Sequence, residues 1–117
     1  MLPSPEETLE ISVADLAALL PADAPPAVRL IDCREDDEFA ICKIGGATLT
    51  PLSKFPDSTL PLLEAPGELP LVVYCHHGMR SLRATEWLRS HGHSRAWSMK
   101  GGIHAWSERI DPEVPKY

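Results

Sequence analysis

Leu69-Pro-Leu-Val-Val-Tyr74 is the most clearly patterned segment of the chain: apolar, rich in β-branched residues and without alternation. A strand with one wet face alternates polar and apolar positions, so this run predicts a strand buried on both faces of a parallel sheet. The stretch behind it, Cys75-His-His-Gly-Met-Arg80, reads as a short turn, and Ser81 to His91 as a helix ended by Gly92. Ala27 to Asp32 and Arg95 to Met99 read as further strands, Gly101-Gly102 as a turn, and Ile103 to Arg109 as a last helix. Upstream, Ser12-Val-Ala-Asp15 has the spacing of a capping box, with Asp where Glu or Gln is usual. It opens a helix to Leu20 that Pro21 stops. Arg34 to Phe39 reads as a helical turn whose acids lie near its positive N-terminal end. Gly45-Gly46 reads as a turn into a short strand over Ala47 to Thr50, and Pro51 to Leu63 carries partial helical patterning broken by Pro56 and Pro61. Strands alternating with helices predict an α/β fold, with a mostly parallel central sheet and helices on both faces.

At 117 residues the chain has the length of one domain, with no repeat or linker to divide it. A domain of that size buries about two thirds of its unfolded surface and needs no disulfide staple. Three cysteines are an odd and sparse number, which points to a reducing compartment. The apolar runs are too short to cross a bilayer, and the first residues lack the basic and apolar parts of a secretory signal. The expectation is a cytoplasmic protein that does not enter a membrane. A net charge of −6 disfavours a nucleic-acid partner.

That charge is uneven. Residues 1–70 hold four basic and thirteen acidic side chains, whereas 71–100 hold five basic (Arg80, Arg83, Arg89, Arg95, Lys100) and one acidic, Glu86. A positive stretch in an acidic chain can attract anions locally. Arg83 and Arg89 read as decoration of a solvated helix face, which leaves Arg80 as the cation nearest the turn. Ten of the twelve prolines lie at or before Pro70, so the early elements are short and the later ones longer.

The positive stretch contains Cys75, at the carboxyl end of the predicted buried strand. Ligands of open α/β sheets sit outside the carboxyl ends of strands. Unpaired N–H groups of a tight turn and a first helical turn form a nest for an anion, and the same partial charge favours a thiolate. Arg80 adds a full charge, and Gly78 lets the backbone turn where a Cβ would crowd a bound group. The expected result is a thiol of depressed pKa, nucleophilic at neutral pH. An inert strand cysteine needs none of the following Gly, Arg and helix start.

The remaining candidates carry blander readings. Cys33 sits late in a predicted core strand as a small hydrophobe, and Cys42, in a predicted loop beside Lys43, reads as packed or simply exposed, with a reactive or resolving thiol as the alternative. Cys75, His76, His77, His91 and His93 lack the paired-ligand spacing of a zinc site, so no metal is expected. His76 and His77 read as loop walls whose N–H groups matter more than their rings. Asp32, Arg34 and Glu38 could stand near the pocket, but the structural reading is favoured, with Arg34 a partner for carboxylates that brace the loop, since buried arginine is usually paired.

Cys75-His-His-Gly-Met-Arg80-Ser81, between a strand and a helix, resembles the active-site loop of the rhodanese-like sulfurtransferases. Leu30-Ile-Asp-Cys-Arg-Glu-Asp-Asp-Glu-Phe39 with Ile44-Gly-Gly-Ala47, and Gly101-Gly-Ile-His-Ala-Trp106, resemble two further signatures of that family, in the same order. The resemblance runs from about Ile11 to Trp106. It departs at Cys42, Lys43 and Gly45, where the family has Gly, His and Pro; these lie outside the loop and bear on local turn geometry. The ending Asp111-Pro-Glu-Val-Pro-Lys-Tyr117 is similar to rhodanese domains that work beside adenylating enzymes of sulfur-carrier systems.

The resemblance implies a three-layer rhodanese-like domain without cofactor. It implies Cys75 as the catalytic residue, with His76, His77, Gly78, Met79, Arg80 and Ser81 binding the substrate. A small anionic sulfur donor, thiosulfate or a persulfide, would leave a sulfur on Cys75 for a thiol, cyanide or a sulfur-carrier protein. Two rivals stand beside it. Phosphatases of related fold place five residues between Cys and Arg, but only four intervene here, a cradle too tight for phosphate. A non-catalytic binding module generally lacks the loop cysteine, which this chain keeps.

Overall fold

The structure is a computed structural model that describes residues 2–55, 57 and 69–117. Its elements in chain order are β1 (Glu10–Ile11), α1 (Val13–Ala18), β2 (Arg29–Asp32), α2 (Asp36–Ile41), β3 (Thr48–Leu49), β4 (Leu71–Tyr74), α3 (Met79–Ser90), β5 (Ala96–Met99) and α4 (Gly102–Arg109). A single 3-10 turn spans Leu52–Lys54, inside the segment read as partly helical; residues 56 and 58–63 of that segment lie outside the described residues. The five strands form one parallel sheet in the order β1-β5-β4-β2-β3. The α/β reading of the sequence therefore holds.

The central strand explains the absent alternation. Leu71 and Val73 face one side, where they pack with Ile31, Ala84, Leu88 and Ala96 beneath α3. Val72 and Tyr74 face the other, with Leu16, Trp97, Ile103 and Trp106 of α1, β5 and α4. All four β4 residues are fully buried, and at about 1.5–3 kcal/mol for a buried large apolar side chain this double-sided core is the main favourable contribution to the fold.

Local chemistry sets the helix bounds. Ser12 caps α1 by accepting from the Asp15 N–H (3.1 Å), as its spacing predicts. Glu35 and Glu38 close a capping box at α2, so that helix starts at Asp36 and runs to Ile41, beyond the predicted Arg34 to Phe39. α3 starts at Met79, two residues before the predicted Ser81, because Gly78 adopts φ +105° and turns the chain directly into the helix. β1 escapes the sequence pattern; it is two residues long and exists through its pairing with Ser98 and Met99 of β5.

The connections leave β2 toward β3 on one side and β4 toward β5 on the other. The carboxyl ends of β2 and β4 therefore flank a topological switch point, the place where open α/β sheets bind ligands. Cys33 and Cys75 are the residues that follow these two strands.

Candidate active site

Register brings the two cysteines together. Asp32 pairs with Tyr74, and the Cys33 N–H donates to the Tyr74 carbonyl (3.0 Å), so the next residues on the two strands stand side by side. Cys33 and Cys75 thereby share one buried cluster, and the neighbouring Cys33 thiol favours the Cys75 thiolate. From below the loop, the N–H groups of Gly78 (3.1 Å) and Ser81 (3.4 Å) also point at that sulfur. The Ser81 hydroxyl lies 3.5 Å from it and 2.7 Å from the Ser98 hydroxyl on β5. Either hydroxyl of the Ser81–Ser98 pair can be the donor; with Ser98 donating to Ser81, the Ser81 hydroxyl is free to donate to a sulfur anion.

Cys75 is 1 % exposed, and burial alone would keep its thiol protonated. The hydrogen bonds reverse that outcome. The Cys33 thiol contributes most, followed by the Ser81 hydroxyl and the Ser81 and Gly78 N–H groups, and together they lower the Cys75 pKa to about 4. Cys33 moves the other way: the neighbouring Cys75 sulfur, burial and nearby Asp32 push its thiol up, so it keeps its proton. The pair is one thiolate and one thiol.

The loop is held from behind by the Gly101-Gly102 turn. The Ile103 N–H donates to the Cys75 carbonyl (2.8 Å) and the His104 N–H to the His76 carbonyl (3.1 Å). With both carbonyls tied to the start of α4, the loop N–H groups face the sulfur. A Cβ on Gly102, whose φ is +64°, would collide with the His76 carbonyl and stand 2.6 Å from the Cys75 oxygen. This close approach is the physical reason for a glycine at the start of the Gly101-Gly-Ile-His-Ala-Trp106 signature.

Around the rim runs an ionic network. Arg80 forms a two-pronged pair with Glu38 (Nη1–Oε1 2.5 Å, Nη2–Oε2 2.9 Å), which lowers the Glu38 pKa to about 2. The Tyr117 hydroxyl donates to Glu38 Oε2 (2.8 Å) and accepts from Arg34 Nη1 (2.8 Å). Arg34 is fully buried and forks onto Asp32 (Nε–Oδ1 3.0 Å, Nη2–Oδ2 2.7 Å) while donating to the Cys42 carbonyl. Buried charge is tolerated when paired and saturated with hydrogen bonds in this way.

Most predicted loop residues meet at this site, with corrections. Arg80 is not a free cation: Glu38 neutralises it, so it braces the loop instead of supplying a bare positive charge. Arg89 is not surface decoration; it donates to the carbonyls of Pro5, Thr8 and Ala96 and fastens the N-terminal segment to the sheet. Met79 lies in the first turn of α3 with its side chain 74 % exposed. His76 stacks between His77 and Tyr117, with ring centroids 4.0 Å from each. Cys42 is packed, its sulfur 3.8 Å from Arg34 Nη1. Cys33 is buried as expected, but its thiol acts on Cys75 and is more than a small hydrophobe. No spacing signal in the sequence marks Tyr117 or His104 as site residues. For Cys33 the signal was available, since two strands ending at neighbouring positions of a parallel sheet put their next residues in contact.

Comparisons with known proteins agree with this geometry. Residues 12–109 match the family described as Rhodanese-like domain. A sulfurtransferase of Allochromatium vinosum is 34% identical over 87 residues, covering 74% of this chain and 78% of that protein. Adenylyltransferase and sulfurtransferase MOCS3-2 of Zea mays is 39% identical over 93 residues, 75% of this chain but 19% of its own length. The chain spans less than a third of the length of the first curated relatives it matches. Among solved structures, the human single-domain sulfurtransferase TSTD1 superposes with a TM-score of 0.67 at 29% identity, covering 87% of this chain and 97% of that one. With its three signatures in order and its loop built around a thiolate, the chain belongs to the family of rhodanese-like domains.

Proposed function

We propose that the protein is a sulfurtransferase that carries a sulfane sulfur on Cys75. The observation behind this reading is the convergence of the Gly78 N–H and the Ser81 N–H and hydroxyl on the Cys75 sulfur, with Cys33 beside it. In the first step the Cys75 thiolate attacks the outer sulfur of thiosulfate; the S–S bond of the donor breaks, sulfite leaves with the bonding pair, and Cys75 becomes a persulfide anion. In the second step an acceptor nucleophile takes the terminal sulfur, and the Cys75 thiolate leaves with its electrons. With cyanide the product is thiocyanate. Donors already fixed in the loop stabilise the anion at each stage without reorganising.

The same atoms weigh against phosphate transfer. With four residues between Cys75 and Arg80 and Arg80 bound to Glu38, the loop offers no free guanidinium for a phosphoryl group. The decisive measurement is mass spectrometry after treatment with thiosulfate: a gain of one sulfur on Cys75 supports the reading, and an unmodified Cys75 with hydrolysis of p-nitrophenyl phosphate overturns it.

A sulfur-relay role is favoured by one specific likeness, that to the Zea mays protein named both adenylyltransferase and sulfurtransferase. In that reading the terminal persulfide sulfur attacks the carrier's acyl adenylate and AMP leaves; a second thiol then cleaves the resulting acyl disulfide, forming a disulfide with Cys75 and releasing the carrier thiocarboxylate. Formation of the carrier thiocarboxylate from persulfidated protein, and its absence with Cys75→Ala, tests this acceptor.

A further inference from the structure

His76 and His77 follow Cys75 in the loop, and His104 stands in the first turn of α4. The hydrogen bonds from Ile103 and His104 to the Cys75 and His76 carbonyls fasten these two segments together. They bring three imidazoles into one cluster, each offering a ring nitrogen, with these atoms within 4.8 Å of one another. Ring centroids are 4.0 Å apart for His76 and His77, 4.9 Å for His77 and His104, and 6.2 Å for His76 and His104.

We propose that His76, His77 and His104 form a binding site for a borderline transition-metal dication, of which Zn²⁺, Ni²⁺ and Cu²⁺ are the representative ions. A set of three imidazoles suits this class and not Mg²⁺ or Ca²⁺, which take oxygen ligands. Two further observations point to a ligand. His76 Nε2 is buried and has no hydrogen-bond partner; such a group is costly unless something occupies it. Glu108 Oε1 lies 3.4 Å from His104 Nε2, the arrangement in which a carboxylate behind a histidine fixes its tautomer and leaves the other ring nitrogen for a metal. Tetrahedral zinc with nitrogen ligands at about 2.0–2.1 Å holds those nitrogens about 3.3 Å apart. Closing from 4.8 Å requires the exposed His77 ring to turn out of its stack on His76. Three imidazoles leave a fourth position for water or an anion. Cys75, buried beneath the loop, is not one of the ligands.

The test uses the full, tag-free chain titrated with Co²⁺, followed by its visible d–d absorption, and with Zn²⁺ by competition and calorimetry. One ion per chain is expected. Removing a ligand, as His104→Ala or His77→Ala, is expected to weaken binding by about tenfold or more, and Glu108→Gln by about tenfold. Cys75→Ser and His91→Ala, whose wild-type ring stacks on Trp87, are expected to bind as wild type does. Absence of saturable binding, full binding in His104→Ala and His77→Ala, or loss of binding in Cys75→Ser would each overturn the proposal. His77 is an exposed loop side chain, so its variant keeps the test valid should His104→Ala disturb α4.

Discussion

Cys33 and Cys75 follow two neighbouring parallel strands side by side, and the Cys33 thiol is the largest single influence lowering the Cys75 pKa. A hydrogen bond to a charged group contributes about 1.5–3 kcal/mol, or about one to two decades in an ionisation constant. Cys33→Ala is therefore expected to raise the Cys75 pKa by that amount, and Cys33→Ser, which keeps a donor, to restore much of the loss. The pH dependence of alkylation by iodoacetamide reports it. An alkylation profile unmoved in Cys33→Ala would remove Cys33 from the site.

The depressed Cys75 pKa also fixes a sign for stability. It lies near 4 in the fold against 9.0 for a free thiol, so between those values the unfolded chain holds a proton that the folded chain has released. The contribution is complete above pH 9 and is lost as pH falls toward 4. Wild-type stability is expected to drop more steeply than that of Cys75→Ser between about pH 8 and 5, by urea unfolding at each pH. Parallel curves would contradict the assignment of a buried thiolate.

Breaking the Glu38–Arg80 pair should cost stability before it costs substrate attraction. The pair is partly exposed, at 17% and 34% of the side chains, so Arg80→Ala is expected to destabilise by about 1–2 kcal/mol. Because the Glu38 pKa is lowered to about 2, this contribution is present above its ordinary value of 4.5 and disappears as pH falls through 2. If loop bracing is what Arg80 supplies, Glu38→Gln and Arg80→Ala, which break the same pair, are expected to change the thiosulfate KM alike. A large fall of KM in Glu38→Gln would assign the attraction to Arg80 itself.

Gly102→Ala is expected to be severe and Gly45→Ala mild. The first adds a Cβ against the Cys75 and His76 carbonyls at φ +64°; the second meets nothing within 4 Å. Overpacking against fixed backbone together with a left-handed conformation gives about 2–4 kcal/mol for Gly102→Ala, against about 0.5 kcal/mol or less for Gly45→Ala. Denaturant midpoints of the two variants provide the comparison, and equal midpoints would mean that α4 does not support the loop.

The segment from Leu69 to Gly92 was the most legible part of the chain, because a long β-branched run, a glycine and a helix start are each local signals. The fold class followed from them. What the sequence concealed was contact between segments distant along it. The Glu38–Arg80 pair joins α2 to α3, and Tyr117 reaches both from the far end of the chain. His104 joins His76 and His77 only because its N–H is tied to the loop carbonyl. No spacing rule along the chain contains those distances. Cys33 was misjudged for a related reason: composition makes a strand-end cysteine a hydrophobe, and only strand order gives it a sulfur for a neighbour.

The pairing of charges at the rim has a further consequence. Asp32 is matched by Arg34 and Glu38 by Arg80, which leaves one net negative charge at the centre of the site, on the Cys75 sulfur. In the proposed cycle a thiolate becomes a persulfide anion, again with one negative charge. Loading and unloading therefore ask for no proton and no change in counter-charge. The rim ion pairs can therefore stay unchanged while sulfur is loaded and unloaded, in either direction of transfer.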